Sequence, residues 1–236
     1  MRCLFLLFDL NAARRWGERA NRFFSRQARG RLDRIFRASL GKEYAGQLRE
    51  DAISSENNLI APVDAKLHGA AIIAAIKQSG VQTVVTVPDR TTASGLLRPI
   101  SQDNELRHVL VSKEDEALAI SAALSFCDHR ALCLFQYTGL LDSINAVRAV
   151  AVEYAMPICM MVGLLGKEPG VAPTESKHYG VSIIEPILDA MGVAHVLIEC
   201  DDDIAAIVPA IDEAYKNSCP IVLLIGRPPI APGKEK

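Results

Sequence analysis

The sequence has few aromatic residues, 6% with one tryptophan, and little net charge: 26 Lys+Arg against 28 Asp+Glu leave -2. A near-neutral chain offers no electrostatic reason for a nucleic-acid partner. None of the six cysteines (Cys3, Cys127, Cys133, Cys159, Cys200, Cys219) forms a C-x-x-C pair, which removes the local signature of a zinc or redox site. Most sit in apolar runs, the setting of core thiols in a reducing cytosol, so a cytoplasmic location is expected. No apolar run is long enough for a transmembrane helix, and Leu4 to Phe8, stopped by Asp9, is too short for a secretory core. Asp9, Glu18 and Asp33 argue against an organelle transit peptide in the Arg-rich stretch behind it. There is no G-x-G-x-x-G after a strand, no G-x-x-x-x-G-K-[ST], no G-x-S-x-G and no H-x-x-x-H, so dinucleotide, Walker-type, nucleophile-elbow and simple metal signatures are all missing.

What is present is aliphatic. Half of the 236 residues are hydrophobic, dominated by Ala, Val, Leu and Ile, which suits buried parallel strands covered by helices in one α/β domain with an appendage. Charge divides the chain. Residues 1–50 hold 12 Lys+Arg against 5 Asp+Glu, a net of +7, and the remainder carries a net of -9. Within the basic part, Trp16, Ala20, Phe23 and Phe24, Ala28, Leu32, Ile35 and Phe36, and Leu40 recur at helical spacing with arginines between them. This pattern describes an amphipathic helix over 11–40, able to dock on a partner, on an anionic membrane surface or on its own domain. Polar residues 51–64 read as a linker. The expected division is a basic extension and linker over 1–64 and an α/β domain over 65–236.

Across that domain, strands are expected at 82–87, 107–111, 131–136, 157–162, 194–198 and 220–225. Helices are expected at 66–79 with Gly80 as C-cap, near 92–98, at 114–126, from Leu140 to Tyr154, at 182–191 and at 202–216. The alternation predicts an open parallel sheet with helices on both faces. Ligands of such sheets bind beyond the carboxyl ends of the strands, which points to the segments after 87, 111, 136 and 162.

Each segment holds residues able to do chemistry, and each has a plainer reading. Asp89, in Val87-Pro88-Asp89-Arg90, can simply cap the short helix that follows. Glu114, Asp115 and Glu116 crowd a first helical turn, where carboxylates are favoured anyway, and Ser112 with Asp115 resembles a capping box. Gln136 ends a buried strand, followed by a turn at Gly139 and a helix carrying Asn145; such amides hold a ligand or merely satisfy a turn. The stretch 163–180 is long for a plain connector and contains Glu168, Glu175 and His178. His68, His108, His129 and His195 read as structural or exposed.

Taken in order, four motifs carry a resemblance. They are Val87-Pro88-Asp89, Glu114-x-x-Ala117, Gln136-x-x-Gly139 extending to Asn145, and Tyr154-x-x-Pro157 leading into a strand. A His-containing loop and Leu188-Asp189-x-x-Gly192 complete the set. Residues 66–228 thereby resemble the pyrimidine-binding domain of thiamine-diphosphate enzymes, most closely the sulfopyruvate decarboxylase alpha subunit and phosphonopyruvate decarboxylase family. The resemblance implies the thiamine-diphosphate-binding fold and a role for Glu114: bonding to a ring nitrogen of the aminopyrimidine, it prepares the cofactor to attack the 2-oxo carbon of a small acid such as 3-sulfopyruvate or 3-phosphonopyruvate. Gln136, Asp89 and Gly139 would line the cofactor, and Arg90, Asn145 and His178 the substrate.

The family holds magnesium and the diphosphate with a Gly-Asp-Gly motif in a second domain, and no Gly-Asp-Gly occurs here. The resemblance therefore implies a separate beta subunit and a hetero-oligomer. Departures from the family bear on the substrate. Arg90 stands where serine is usual, Tyr137-Thr138 where Asn-Ser is usual, Leu165-Gly166 where Arg-Gly is usual, and Ala123 where glycine is usual. Arg90 offers a guanidinium to an anionic group. Two other readings stay open: a non-catalytic relic that regulates or scaffolds another thiamine enzyme, and half of an acetolactate-synthase-like carboligase.

Overall fold

The computed structural model describes residues 61–234; the helix expected over 11–40 and residues 51–60 of the expected linker lie outside them. The chain enters with α1 (Gly69–Gln78), whose Ile72, Ile73, Ala75 and Ile76 are buried, and which stops at Ser79 before Gly80 at φ +76°. β1 (Thr83–Thr86) follows, then a wide π-helical turn (Ala93–Leu97) continuing into α2 (Arg98–Ser101) and β2 (Arg107–Leu110). Next come α3 (Glu114–Phe126), β3 (Ala131–Gln136), α4 (Tyr137–Asp142) and α5 (Ile144–Ala146), the last running into a second π-helical stretch (Val147–Glu153). β4 (Cys159–Gly163) leads to a long loop, then α6 (Tyr179–Ser182) and α7 (Ile184–Met191). β5 (Ala194–Ile198), α8 (Ile207–Asn217) and β6 (Ile221–Ile225) close the domain.

All six strands are parallel, in the order β2-β1-β3-β4-β6-β5. The expected architecture is therefore present. Every residue of the central strands β4 and β6 is buried, as their unbroken apolar sequences require for strands covered on both faces. The edge strands are the polar ones: β2 carries Arg107 and His108, and His195 lies in β5. Alternation along the strands divides the core. Val85, Cys133, Phe135, Met160, Val162, Val222 and Leu224 share one cluster with Ala117 and Leu118 of α3, Leu140 of α4 and Leu188 of α7. Their alternating neighbours, such as Val84, Leu132, Leu134, Met161 and Leu223, are equally buried toward the other face. There α1 packs on α8.

Two expectations are corrected. The helix after β3 begins at Tyr137, directly behind the strand, not at Leu140, so Gly139 sits inside a helix and not in a turn. That helix is also not continuous to Tyr154. It breaks at Ser143 and widens, with Tyr154 N donating to Ala149 O and Met156 N to Ala151 O. As for the thiols, Cys133 and Cys159 are buried while Cys127 is exposed. Burial pushes Cys133 up to about 12 against the weaker pull of its Ser121 hydrogen bond, and Cys159 is raised for the same reason. Among the described residues no helix is long and apolar enough to cross a membrane.

Chain order sets the position of the ligand edge. From β1 the chain moves outward to β2 and then returns across β1 to β3, so connections leave β1 and β3 in opposite directions, opening a crevice at their carboxyl ends. The turn after β1 is held from outside the sheet, because a Cβ at Gly95 would overlap the backbone carbonyl of Pro229. Backbone cannot swing aside as a side-chain tip does. Gly95→Ala is expected to lower unfolding free energy by about 2 kcal/mol or more, read as a fall in the urea midpoint; an unchanged midpoint would refute the close packing.

Candidate functional site

Glu114 is the first residue of α3, where exposed N–H groups and the helix dipole attract carboxylates. Three acids compete for that role, and the structure divides the work. Glu116 Oε2 accepts the backbone N–H groups of Ser112 (3.0 Å) and Lys113 (3.2 Å). Asp115 Oδ1 accepts the N–H of Glu116 at 2.9 Å. The N-cap is Lys113, and the residue that reaches back is Glu116, so the box expected from Ser112 and Asp115 is corrected. The capping-box geometry needs a carboxylate at the third helical position, which is Glu116.

Glu114 is left over. Its half-buried carboxylate accepts no hydrogen bond and makes no ion pair among the described residues. It lies instead against α4, where a Cβ on Gly139 would overlap Glu114 Cγ, Cδ and Oε1. Gly139 is therefore the absence of a side chain that makes room for this carboxylate. An exposed ion pair between Lys113 and Asp142 (3.6 Å) ties the start of α3 to the end of α4, a contact of small energetic weight.

Asp89, beyond β1, is buried and fully engaged. Its Oδ1 accepts Thr91 N (3.0 Å) and its Oδ2 accepts Thr92 N (3.1 Å) and Thr92 Oγ1 (2.9 Å). The carboxylate thus caps the turn that follows, and it fills the space over Gly163, the last residue of β4. Gly163 pairs in register with Gln136 at the end of β3. Gln136 is half-buried and its Nε2 donates to Thr138 Oγ1 at 3.0 Å. Arg90 is exposed next to Asp89. Asn145 lies on the exposed side of α5, where its Oδ1 accepts Nε (3.2 Å) and Nη2 (3.0 Å) of Arg148. Its amide oxygen is occupied within its own helix.

The segment between β4 and α6 is a built loop. Its far end touches the site, because Gly180 lies against the ring of Tyr137, the residue between Gln136 and Thr138. His178 is exposed, with its imidazole over Gly166: a Cβ there would come within 3.0 Å of Nε2. Glu168 ties the loop across itself, accepting Ser176 Oγ (2.7 Å) and Lys177 N (3.2 Å). The Ser176 hydroxyl, followed by backbone amides and the charge of His178, holds the Glu168 carboxyl below its usual range.

Glu114 and Gly139 therefore meet directly, Asp89 and Gln136 meet at Gly163, and His178 joins through the loop that ends on Tyr137. Arg90 borders the group and Asn145 is bonded elsewhere. One feature has no local sequence signal: Lys167 and Glu199 form a buried ion pair from segments far apart in the chain. Among the described residues no cluster of three or more His, Cys, Asp or Glu could hold a metal ion.

No protein-family model matches the chain. It is similar to sulfopyruvate decarboxylase subunit alpha of Methanococcus maripaludis, 28% identical over 96 residues, which cover 41% of this chain and 57% of that protein. The subunit alpha of Methanothermobacter thermautotrophicus is 29% identical over 98 residues, 42% of this chain and 59% of that one. That of Methanocaldococcus jannaschii is 25% identical over 157 residues, 65% of this chain and 90% of that one. The matched segments thus span less than two thirds of the first two relatives. A 2-oxoglutarate:ferredoxin oxidoreductase from Magnetococcus marinus superposes with a TM-score of 0.48 at 14% identity, over 69% of this chain and 31% of its own.

The lowered Glu168 carboxyl has a signed consequence. Its contribution to stability is present above the ordinary carboxylate value of 4.5 and is lost as pH falls through the lowered folded value. Urea midpoints of the wild type are expected to fall between about pH 5 and pH 3 more steeply than those of Glu168→Gln. Parallel curves would show that this carboxylate adds nothing to acid sensitivity.

Proposed function

We propose that this chain, a relative of sulfopyruvate decarboxylase alpha subunits, is the pyrimidine-binding subunit of a thiamine-diphosphate-dependent 2-oxo-acid decarboxylase. The observation that carries the reading is Glu114. It is a carboxylate at a helix start that its own helix does not use, given room by a glycine on the neighbouring helix and placed at the carboxyl ends of a parallel sheet. A half-buried acceptor without a donor among the described residues fits a ligand that brings a polarised ring nitrogen.

Bound thiamine diphosphate supplies the ring that takes up the electrons left when carbon dioxide departs. The protein's part lies with its own side chains. Glu114 holds a proton at the pyrimidine nitrogen, and its partly buried position strengthens that hydrogen bond relative to water. Tyr137, packed against Gly180, joins the loop carrying His178 to the same edge. Arg90, exposed beside Asp89, is assigned to the carboxylate or second anionic group of a small 2-oxo acid such as 3-sulfopyruvate or 3-phosphonopyruvate, since a guanidinium suits such a group. The diphosphate and magnesium are assigned to a separate beta subunit, and the working enzyme to a hetero-oligomer in the cytoplasm.

Co-purification from the native source tests the partnership: a stoichiometric second subunit bearing Gly-Asp-Gly is expected, and a chain that purifies alone without binding thiamine diphosphate and magnesium would overturn the reading. Within the reconstituted enzyme, Glu114→Gln is expected to lower kcat by about 100-fold or more with assembly intact. Gly139→Ala should push the Glu114 side chain aside and lower kcat as well, while costing no more than about 1 kcal/mol in stability because a flexible side chain can yield. Turnover near normal in either variant would exclude Glu114 as the group that matters.

A further inference from the structure

The loop from β4 to α6 is anchored deep in the protein. Lys167 turns inward and its side chain is 0% exposed, paired with Glu199, 2% exposed, which follows β5. Burying two charges to make one pair is weak support for overall stability, since desolvation roughly cancels the attraction. Its effect is geometric: it pins the residue after Gly166 to the carboxyl end of β5. From that foot a continuous line of polar contacts runs outward. Lys167 Nζ donates to Glu168 O at 3.2 Å. The Glu168 carboxylate accepts Ser176 Oγ (2.7 Å) and Lys177 N (3.2 Å). Ser176 Oγ in turn accepts His178 N at 3.2 Å. The imidazole at the end of the line rests on Gly166, held at φ +89°, a conformation L side chains rarely adopt.

We propose that Glu168, footed on the buried Lys167–Glu199 pair, is a positioning residue that sets the His178 imidazole at the rim of the Glu114 site. Calling that rim part of an active site rests on the decarboxylase reading; the brace itself does not. His178 is exposed and has no side-chain hydrogen bond of its own in the described structure, so its location is inherited from the backbone that Glu168 holds. Removing the brace would free the loop to sample other conformations and dilute the productive one, and every such effect acts through His178.

Two measurements on the full chain and its complex test this separately. In the chain alone, amide hydrogen exchange at Lys177 and His178 is expected to accelerate at least about tenfold in Glu168→Ala, whereas Glu168→Gln, which keeps an acceptor oxygen, retains most of the protection and exposed Glu175→Ala changes nothing. Unchanged exchange in Glu168→Ala overturns the proposal whether or not the protein is an enzyme. In the reconstituted complex, Glu168→Ala is expected to lower kcat, and the Glu168→Ala/His178→Ala double variant to be no slower than His178→Ala alone. Losses that multiply would overturn the positioning role. If the wild-type complex decarboxylates no 2-oxo acid, it is the decarboxylase reading that fails, and the exchange result alone decides on the brace.

Discussion

At the first turn of a helix, several N–H groups lack partners and the dipole draws negative charge, so a glutamate there is normally absorbed by its own backbone. α3 begins with three acids, and the site depends on how they divide the task. Glu116 takes two amides of the preceding residues and Asp115 takes a third. With the cap satisfied by its neighbours, Glu114 can extend sideways. It does so because α4 starts immediately after β3 and presents Gly139 at the point of contact. A larger residue there would occupy the carboxylate's volume. The free acceptor is thus the joint product of a surplus of acids on one helix and a missing side chain on another.

The surroundings are rigid for related reasons. Asp89 gives up both oxygens to the turn after β1 and lies over Gly163, so the ends of β1, β3 and β4 are locked to one another. The long loop after β4 is not left to its own entropy either. A buried ion pair pins its start, Glu168 crosses its middle, and the contact of Gly180 with Tyr137 closes its end. A loop of that length carrying a histidine would otherwise spread that side chain over many positions. Polar groups placed where water is scarce hold it instead, since leaving them unmade is costly.

Much of this was legible in one dimension. Short apolar runs marked the strands, and apolar residues at helical spacing such as Ile72, Ile73 and Ile76 marked the first helix. Gln136 and His178 stood out because they lie in segments beyond strand ends, and the family resemblance picked Glu114 from its two acidic neighbours. What misled was local chemistry with more than one solution. Ser112 and Asp115 offered a capping box, whereas it is Glu116 that reaches back to the backbone N–H groups of Ser112 and Lys113. Gly139 read as a turn residue because glycine usually punctuates, yet here it is a helical residue chosen for close approach.

The amino-acid order by itself determined the architecture, because hydrophobic periodicity acts over a few residues and α/β alternation leaves few topologies. It also pointed to the segments at the carboxyl edge, although Asn145 is bonded within its own helix. Only the tertiary structure decided which of three adjacent acids would be without a partner among the described residues, since that depends on what packs against them from a helix more than twenty residues away. It alone decided that Lys167 would be sealed against Glu199, because an ion pair between distant segments has no period and no motif. Burial and partnership are properties of the assembled fold, and they are what turn a list of candidate residues into a site.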